Sequence, residues 1–453
     1  MQGWWFEAAL LADGWAERVR MTAEADRIVA VTSGAEPEVG DARLGVALPG
    51  VANLHSHAFQ RGMAGMAERR GPRADSFWTW RDLMYRFAHA IGPDELEAIA
   101  SLAFVEMLEA GFVRVGEFHY VHHDRDGTPF ANPAEMGARI AAAAAATGIG
   151  LTLLPVLYMA SGFGGAAPRP EQARFVHDAD GYARLIEASR SAVAGLADAR
   201  VGVAPHSLRA VPPEGLAAAL AIGGEGPVHI HVAEQTGEVE DCLRHTGQRP
   251  VAWLLAHAPV DPRWCLVHAT HVTPEELDEV ARSGAVVGLC PITEANLGDG
   301  VFPAAELRAA GGRFGVGSDS NVLIGLAEEL RSLEYSQRLV HRARNLLSSA
   351  ECPSTGRTLF DAARRGGAQA LGVADGDLAP GRRADFVTLD RSHPTLAGRS
   401  GDALLDAFVF ANGGGTIDGV WCGGRQQVQG GRHVARDAVV RRYAAALAGL
   451  GIA

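Results

Sequence analysis

Between about residue 46 and residue 320, short β-rich apolar runs alternate with longer stretches rich in Ala, Leu, Glu and Arg, and this alternation narrows the folds open to the 453-residue chain. The runs end near His55, Glu117, Tyr158, His206, His231, His268, Pro291 and Asp319. Runs such as Leu151-Thr152-Leu153-Leu154-Pro155-Val156-Leu157 and Cys265-Leu266-Val267 are continuous rather than alternating, which suits strands covered on both faces. Residues 93–110, 180–196 and 274–283 suit helices between them, the last opened by Thr273-Pro274-Glu275-Glu276 as a capped start. Eight such strands predict an α/β protein with a closed parallel (β/α)8 barrel of the TIM type over residues 46–374. Active-site groups of such a barrel gather at the C-terminal ends of its strands.

The two chain ends read differently. Residues 1–45 and 375–453 carry short β patterns punctuated by Gly, at 28–31, 385–389 and 419–422, and predict a small β-module built from both ends around the inserted barrel. A net charge of -12 argues against a general nucleic-acid or anionic-membrane surface and favours a small-molecule partner. The five cysteines are scattered, odd in number and form no C-x-x-C pair, which fits reduced thiols in a cytosol. No apolar run approaches the roughly twenty residues of a membrane helix, and the N-terminal residues lack a basic segment followed by an apolar one. The chain is expected to be cytoplasmic.

His55-Ser56-His57 closes the first apolar run. Residues two apart in a strand point to the same side, so these imidazoles can converge on one metal ion. Alone, the pair can equally face solvent or satisfy ordinary hydrogen bonds. His231, His268 and Asp319 fall at other predicted strand ends and supply further ligand candidates. Nitrogen ligands with one carboxylate suit zinc, with iron or another divalent ion as alternatives, and an activated water then points to hydrolysis. Glu234, three residues after His231, is either a proton shuttle beside that water or a solvated glutamate at a helix start. His268 is either a ligand or a donor to a developing oxyanion, and Asp319 can both bind metal and accept the water's proton.

Leu48-Pro49-Gly50 leading into His55-Ser56-His57, the two later histidines and Gly317-Ser318-Asp319 together resemble the amidohydrolase superfamily. The segment from Gly376 to Val387 looks like that family's return into its β-sandwich, which implies a small β-sandwich domain from residues 1–45 and 375–453. More specific segments resemble the formimidoylglutamate deiminase family of bacterial histidine breakdown. They include His55-Ser56-His57-Ala58-Phe59-Gln60-Arg61-Gly62, Val115-Gly116-Glu117-Phe118-His119-Tyr120, His231-Val232-Ala233-Glu234-Gln235-Thr236-Gly237-Glu238 and Thr293-Glu294-Ala295-Asn296-Leu297-Gly298-Asp299-Gly300. Asn321 and Ile292 depart from the family pattern, where histidine and threonine are expected.

The resemblance implies one zinc per subunit held by His55, His57, His231 and Asp319, with Glu234, His268 and Asp319 as the catalytic groups. The implied reaction is attack of metal-activated water on the formimino carbon of N-formimidoyl-L-glutamate, giving N-formyl-L-glutamate and ammonia. A homodimer is implied as well. A glutamate derivative needs fixed donors for two carboxylates, for which the forked guanidinium is well suited. Gln60, Arg81, Tyr120, His206 and Arg209 are the substrate-binding set that the resemblance implies, with Arg61 a weaker candidate. His119, His122, His123, His229 and His271 are assigned structural roles, and Phe77-Trp78-Thr79-Trp80 is expected to pack a loop. The rivals are a metal-dependent deaminase of guanine or a related heterocycle and a noncatalytic scaffold.

Overall fold

The computed structural model describes residues 1–69, 76–374 and 376–451. Strands β1 (Gln2–Leu11), β2 (Gly14–Glu24), β3 (Arg27–Thr32) and β4 (Ala42–Pro49) come from one end of the chain. The following strands are β5 (Val51–Ser56), β6 (Phe112–His119), β7 (Gly150–Leu157), β8 (Arg200–Val201), β9 (Ala204–Pro205), β10 (Val228–Val232), β11 (Trp264–His268), β12 (Val286–Leu289) and β13 (Arg313–Val316). β14 (Phe386–Leu389), β15 (Ile417–Cys422), β16 (Arg425–Gln429) and β17 (Arg432–His433) complete the order.

Both chain ends enter one sheet of order β17-β16-β15-β14-β4-β1-β2-β3. The junction between the two halves is the antiparallel pair β4 and β14, with Phe386 opposite Pro49 and Leu389 opposite Val46. Its apolar face is aromatic: Trp421 stacks on Phe386 with ring centroids 4.6 Å apart, and Trp4 meets Phe386 edge-on at 5.2 Å.

The middle of the chain is α/β with parallel sheets, one of order β5-β6-β7-β8 with β9 also on β7, the other of order β10-β11-β12-β13. Every residue of β5, β6, β7, β10 and β11 is buried, as expected of parallel strands covered on both faces. Isolated parallel bridges join the sheets on both sides, Val203 with Val228 and Ser207 with His231 on one, Ser56 with Asp319 on the other.

Several boundaries differ from the sequence expectation. The run expected to reach Pro291 stops at Leu289, because Pro291 opens the helix Pro291–Leu297 at a position where a missing N–H costs nothing. The run toward Asp319 stops at Val316, and that toward His206 is split into the two short strands β8 and β9. The C-terminal segment also holds a helix, Arg436–Leu450, where only β patterns were expected. Its Ala-rich composition favours helix, and Val439 packs on Leu102 and Val105 of the helix Pro93–Glu109. Among the described residues, no helix is long and apolar enough to cross a membrane.

Candidate active site

The ends of β5 and β13 are locked together by two main-chain hydrogen bonds. Asp319 N–H donates to the His55 carbonyl at 3.0 Å, and His57 N–H donates to the Asp319 carbonyl at 2.9 Å. This approach needs a glycine at 317, where a Cβ would lie 2.6 Å from the His55 oxygen. Across the other junction, His231 N–H donates to the His206 carbonyl at 3.0 Å. His268, Asp319 and Asn321 turn out of their strands in the left-handed region, at φ of 66°, 45° and 55°. Non-glycine residues hold such conformations only where their surroundings enforce them. Asn321, at the position where the resemblance leads one to expect histidine, provides part of that enforcement: its amide donates to Ser56 Oγ at 3.1 Å and to the carbonyls of His57 and Asp319 at 3.0 Å each.

His55, His57, His231 and Asp319 are all buried, and each offers a ligand atom within 4.8 Å of the others. Asp319 Oδ1 lies 3.5 Å from His55 Nε2 and 3.3 Å from His57 Nε2. His57 Nδ1 donates to the Phe118 carbonyl at 2.8 Å, and His231 Nδ1 to the His206 carbonyl at 3.2 Å. Those bonds fix the tautomers that leave the Nε2 lone pairs available. Burial pushes the pKa of His55 down to about 3 and that of His231 well below its usual value, so both rings stay neutral. Burial opposes ionisation of Asp319, but the neighbouring imidazoles of His55, His57 and His268 outweigh it and hold the carboxyl low. The ring nitrogens of His55 are buried with no hydrogen-bond partner. An unpaired buried imidazole beside two oriented ones and a carboxylate fits a divalent metal and is hard to explain otherwise.

His268 sits beside this cluster. Its Nε2 lies 3.7 Å from Asp319 Oδ2 and 3.9 Å from Glu234 Oε1, while Nδ1 is 3.2 Å from Glu294 Oε1. Burial disfavours the charged ring, but Glu234, Glu294 and Asp319 prevail and raise its pKa to about 10. Burial lifts the Glu234 carboxyl to about 7 against the opposing charges of His268 and Arg209. A cationic imidazole next to a carboxyl poised near neutrality is an arrangement for moving protons.

A pocket of about 590 Å³ opens onto the cluster and is lined by His57, His231, Glu234, His268 and Asp319 at one end. Gln60, Arg81, Tyr120, His206 and Arg209 line it as well. Gln60 Nε2 donates to the Tyr120 hydroxyl at 2.7 Å, leaving Gln60 Oε1 buried without a partner. The Nε atoms of Arg81 and Arg209 are likewise buried and unpartnered. Arg81 lies over the Trp78 ring at 4.4 Å and Arg209 approaches it at 5.9 Å. Arg61 is elsewhere, its guanidinium bound to Glu106 by bonds of 2.6 and 3.1 Å.

Phe77-Trp78-Thr79-Trp80 opens the helix Phe77–Ala90 rather than a loop, and Phe77 and Trp80 line the pocket. Sequence reasoning also passed over Tyr85, Tyr158 and Glu294. Tyr85 stands four residues after Arg81 on the same helix face, so helical spacing from Arg81 was the available signal. His122, His123 and His229 are bound through Nε2 to the carbonyls of Val156, Val176 and Ala370.

A model of the amidohydrolase family matches residues 46–426, and a model described as the N-terminal domain of formimidoylglutamate deiminase HutF matches residues 5–45. The formimidoylglutamate deiminase of Pseudomonas aeruginosa strain PAO1 is 52% identical over 439 residues, covering 96% of this chain and 97% of that protein. The 8-oxoguanine deaminase of the same organism is 28% identical, covering 90% of this chain and 88% of that one. The crystal structure of an amidohydrolase from Brucella melitensis superposes with a TM-score of 0.97 at 55% identity, over 99% of this chain and 100% of that one. The chain belongs to the amidohydrolase family, in its formimidoylglutamate deiminase branch.

Proposed function

We propose that this chain hydrolyses N-formimidoyl-L-glutamate to N-formyl-L-glutamate and ammonia, with one zinc ion per subunit. The observation that carries the proposal is a juxtaposition within one pocket. His57, His231 and Asp319 of the metal-binding cluster lie at one end, and Arg81 and Arg209, with unpartnered Nε atoms, stand ready for the carboxylates of a glutamate derivative. The 52% identity to a formimidoylglutamate deiminase supports the same substrate. The fold is taken to be a (β/α)8 barrel of residues 46–374, supported by the parallel bridges that link both edges of the two parallel sheets. The eight-stranded sheet is taken as part of a β-sandwich domain of residues 1–45 and 375–453.

His55, His57, His231 and Asp319 would hold the metal. A divalent ion bound there supplies Lewis acidity and makes water acidic enough to act as a nucleophile near neutral pH. Arg81 and Arg209 bind the carboxylates and fix the formimidoyl carbon over that end of the pocket. Asp319 Oδ2, 3.7 Å from His268 Nε2, takes the proton of the attacking water. As the C–O bond forms, cationic His268 supports the charge on the attacking oxygen of the tetrahedral adduct. The formimidoyl group enters as its amidinium, so attack leaves a terminal NH2; Glu234 protonates it, the C–N bond breaks, ammonia leaves, and the adduct's hydroxyl proton returns to the Glu234 carboxylate as the N-formyl C=O forms. The same reading takes the protein as a homodimer acting in cytoplasmic histidine breakdown.

The direct test is ammonia release by the metal-loaded protein from N-formimidoyl-L-glutamate and from guanine, side by side. Turnover of the first with none of the second is expected. Turnover of guanine alone would replace this function with heterocycle deamination.

A further inference from the structure

Gln172 is buried beside the arginine end of the pocket. Its Oε1 accepts from Arg169 N–H at 2.9 Å, which turns its Nε2 toward two phenols. Nε2 donates to the Tyr158 hydroxyl at 2.8 Å and to the Tyr85 hydroxyl at 3.2 Å. The inverted amide would set its NH2 group against the Arg169 N–H, donor against donor, so the orientation is fixed. Both phenol oxygens are thereby used as acceptors, and their hydrogens must go elsewhere. A bond between the two hydroxyls would use only one of the two hydrogens. At least one O–H is left to donate into the pocket, where Tyr85, Tyr158, Arg81 and Arg209 line the same wall region. Tyr85 and Arg81 are four residues apart on one helix face, with the guanidinium 5.5 Å from the phenol ring. Two cations and a hydroxyl donor, with the competing acceptors saturated by one amide, form a surface that only an anionic acceptor satisfies fully.

We propose that Gln172 is a positioning residue that aims the hydroxyls of Tyr85 and Tyr158 at a substrate carboxylate bound by Arg81 and Arg209, and so makes the pocket choose a carboxylate over the matching carboxamide. The proposal rests on the dicarboxylate substrate inferred above. A carboxamide would turn its own N–H groups toward these donors and leave one of them unpaired, which is the kind of mismatch that discriminates strongly.

The test compares wild type with Tyr85→Phe, Tyr158→Phe, their double variant and Gln172→Glu. Two readouts are used: kcat and KM for N-formimidoyl-L-glutamate and N-formimidoyl-L-glutamine, and calorimetric titration with glutarate. In the double variant, KM for the glutamate compound and the Kd for glutarate rise about tenfold, kcat changes by less than about twofold, and the preference over the glutamine compound shrinks accordingly. Gln172→Glu keeps an acceptor for Arg169 N–H but turns the other oxygen into an acceptor for the phenols. It draws their hydrogens away from the pocket and weakens glutarate binding, a change that a merely space-filling role would not produce. Unchanged preference and unchanged glutarate affinity in the double variant would overturn the proposal while leaving the deimination itself intact. A wild type that binds glutarate in a tyrosine-dependent manner without turning over N-formimidoyl-L-glutamate would keep this proposal and remove that reaction. A wild type that does neither would remove both.

Discussion

Among the described residues, two groups of buried histidines invite comparison, and only one of them is built for a metal. His55, His57 and His231 surround Asp319, with Nδ1 of His57 and His231 held by carbonyls and Nε2 left available. His119, His122, His123 and His177 form the second group, with ring centroids 4.5 to 5.3 Å apart for the pairs His119–His122, His122–His177 and His123–His177. Here Nε2 of His122 and His123 is already bound to the carbonyls of Val156 and Val176, and the buried Arg174 donates to the His123 carbonyl at 2.8 Å. Burial keeps the rings of His55, His57 and His231 neutral, and those of His119, His122 and His177 as well. The difference therefore lies chiefly in the carboxylate, which the first group holds at ligand distance and the second does not. Among the described residues, every grouping compact enough for a metal includes Asp319.

The largest effect should separate the two groups outright. His231→Ala should lose bound metal and reduce turnover to background, whereas His122→Ala should keep its metal by elemental analysis and lower only the melting temperature. Metal loss from the second variant would break the distinction. Next, Glu234→Gln should retain metal and the fold but lower kcat by roughly 10²- to 10⁴-fold, the range for a positioned proton carrier. A kcat within a fewfold of wild type would remove Glu234 from the chemistry.

The second group should show itself in acid. Well above pH 6.5 the His177 ring is neutral in both folded and unfolded chains. Burial depresses the folded pKa of His177 to about 4, so as the pH falls from 6.5 toward 4 the unfolded chain takes up a proton that the folded chain refuses. Stability should fall over that window, by roughly 3 kcal/mol from this residue at most. His177→Phe should flatten the acid limb of the denaturation curve, and an unaltered limb would show that this ring does not set it.

The arginines repeat the contrast on a smaller scale. Arg209→Met should raise KM about tenfold or more through loss of a charge-assisted donor. Arg61→Met should leave KM unchanged and lower stability alone, since it breaks a largely buried pair with Glu106 outside the pocket. Equal effects on KM would erase the distinction between them.

The approach of His55, His57, His231 and Asp319 is legible in the chain because each follows an apolar run, and strand ends of a parallel sheet share one rim. The division of labour between His231 and His268 is not, because strand-end position does not say which ring nitrogen is engaged. That needed Glu294, which meets His268 Nδ1 from a different helix. Helical spacing from Arg81 brings Tyr85 to the pocket, but its contact with Gln172, 87 residues away, is carried by no local pattern. The helix Arg436–Leu450 was obscured by the Gly-punctuated strands that precede it.

The central claim is that one metal ion at the Asp319 cluster drives deimination. Zinc should be titrated into metal-free protein while ammonia release from N-formimidoyl-L-glutamate is followed. The rate should climb linearly to one equivalent per chain and then level off. Full activity without metal, or continued growth to two equivalents, would contradict it.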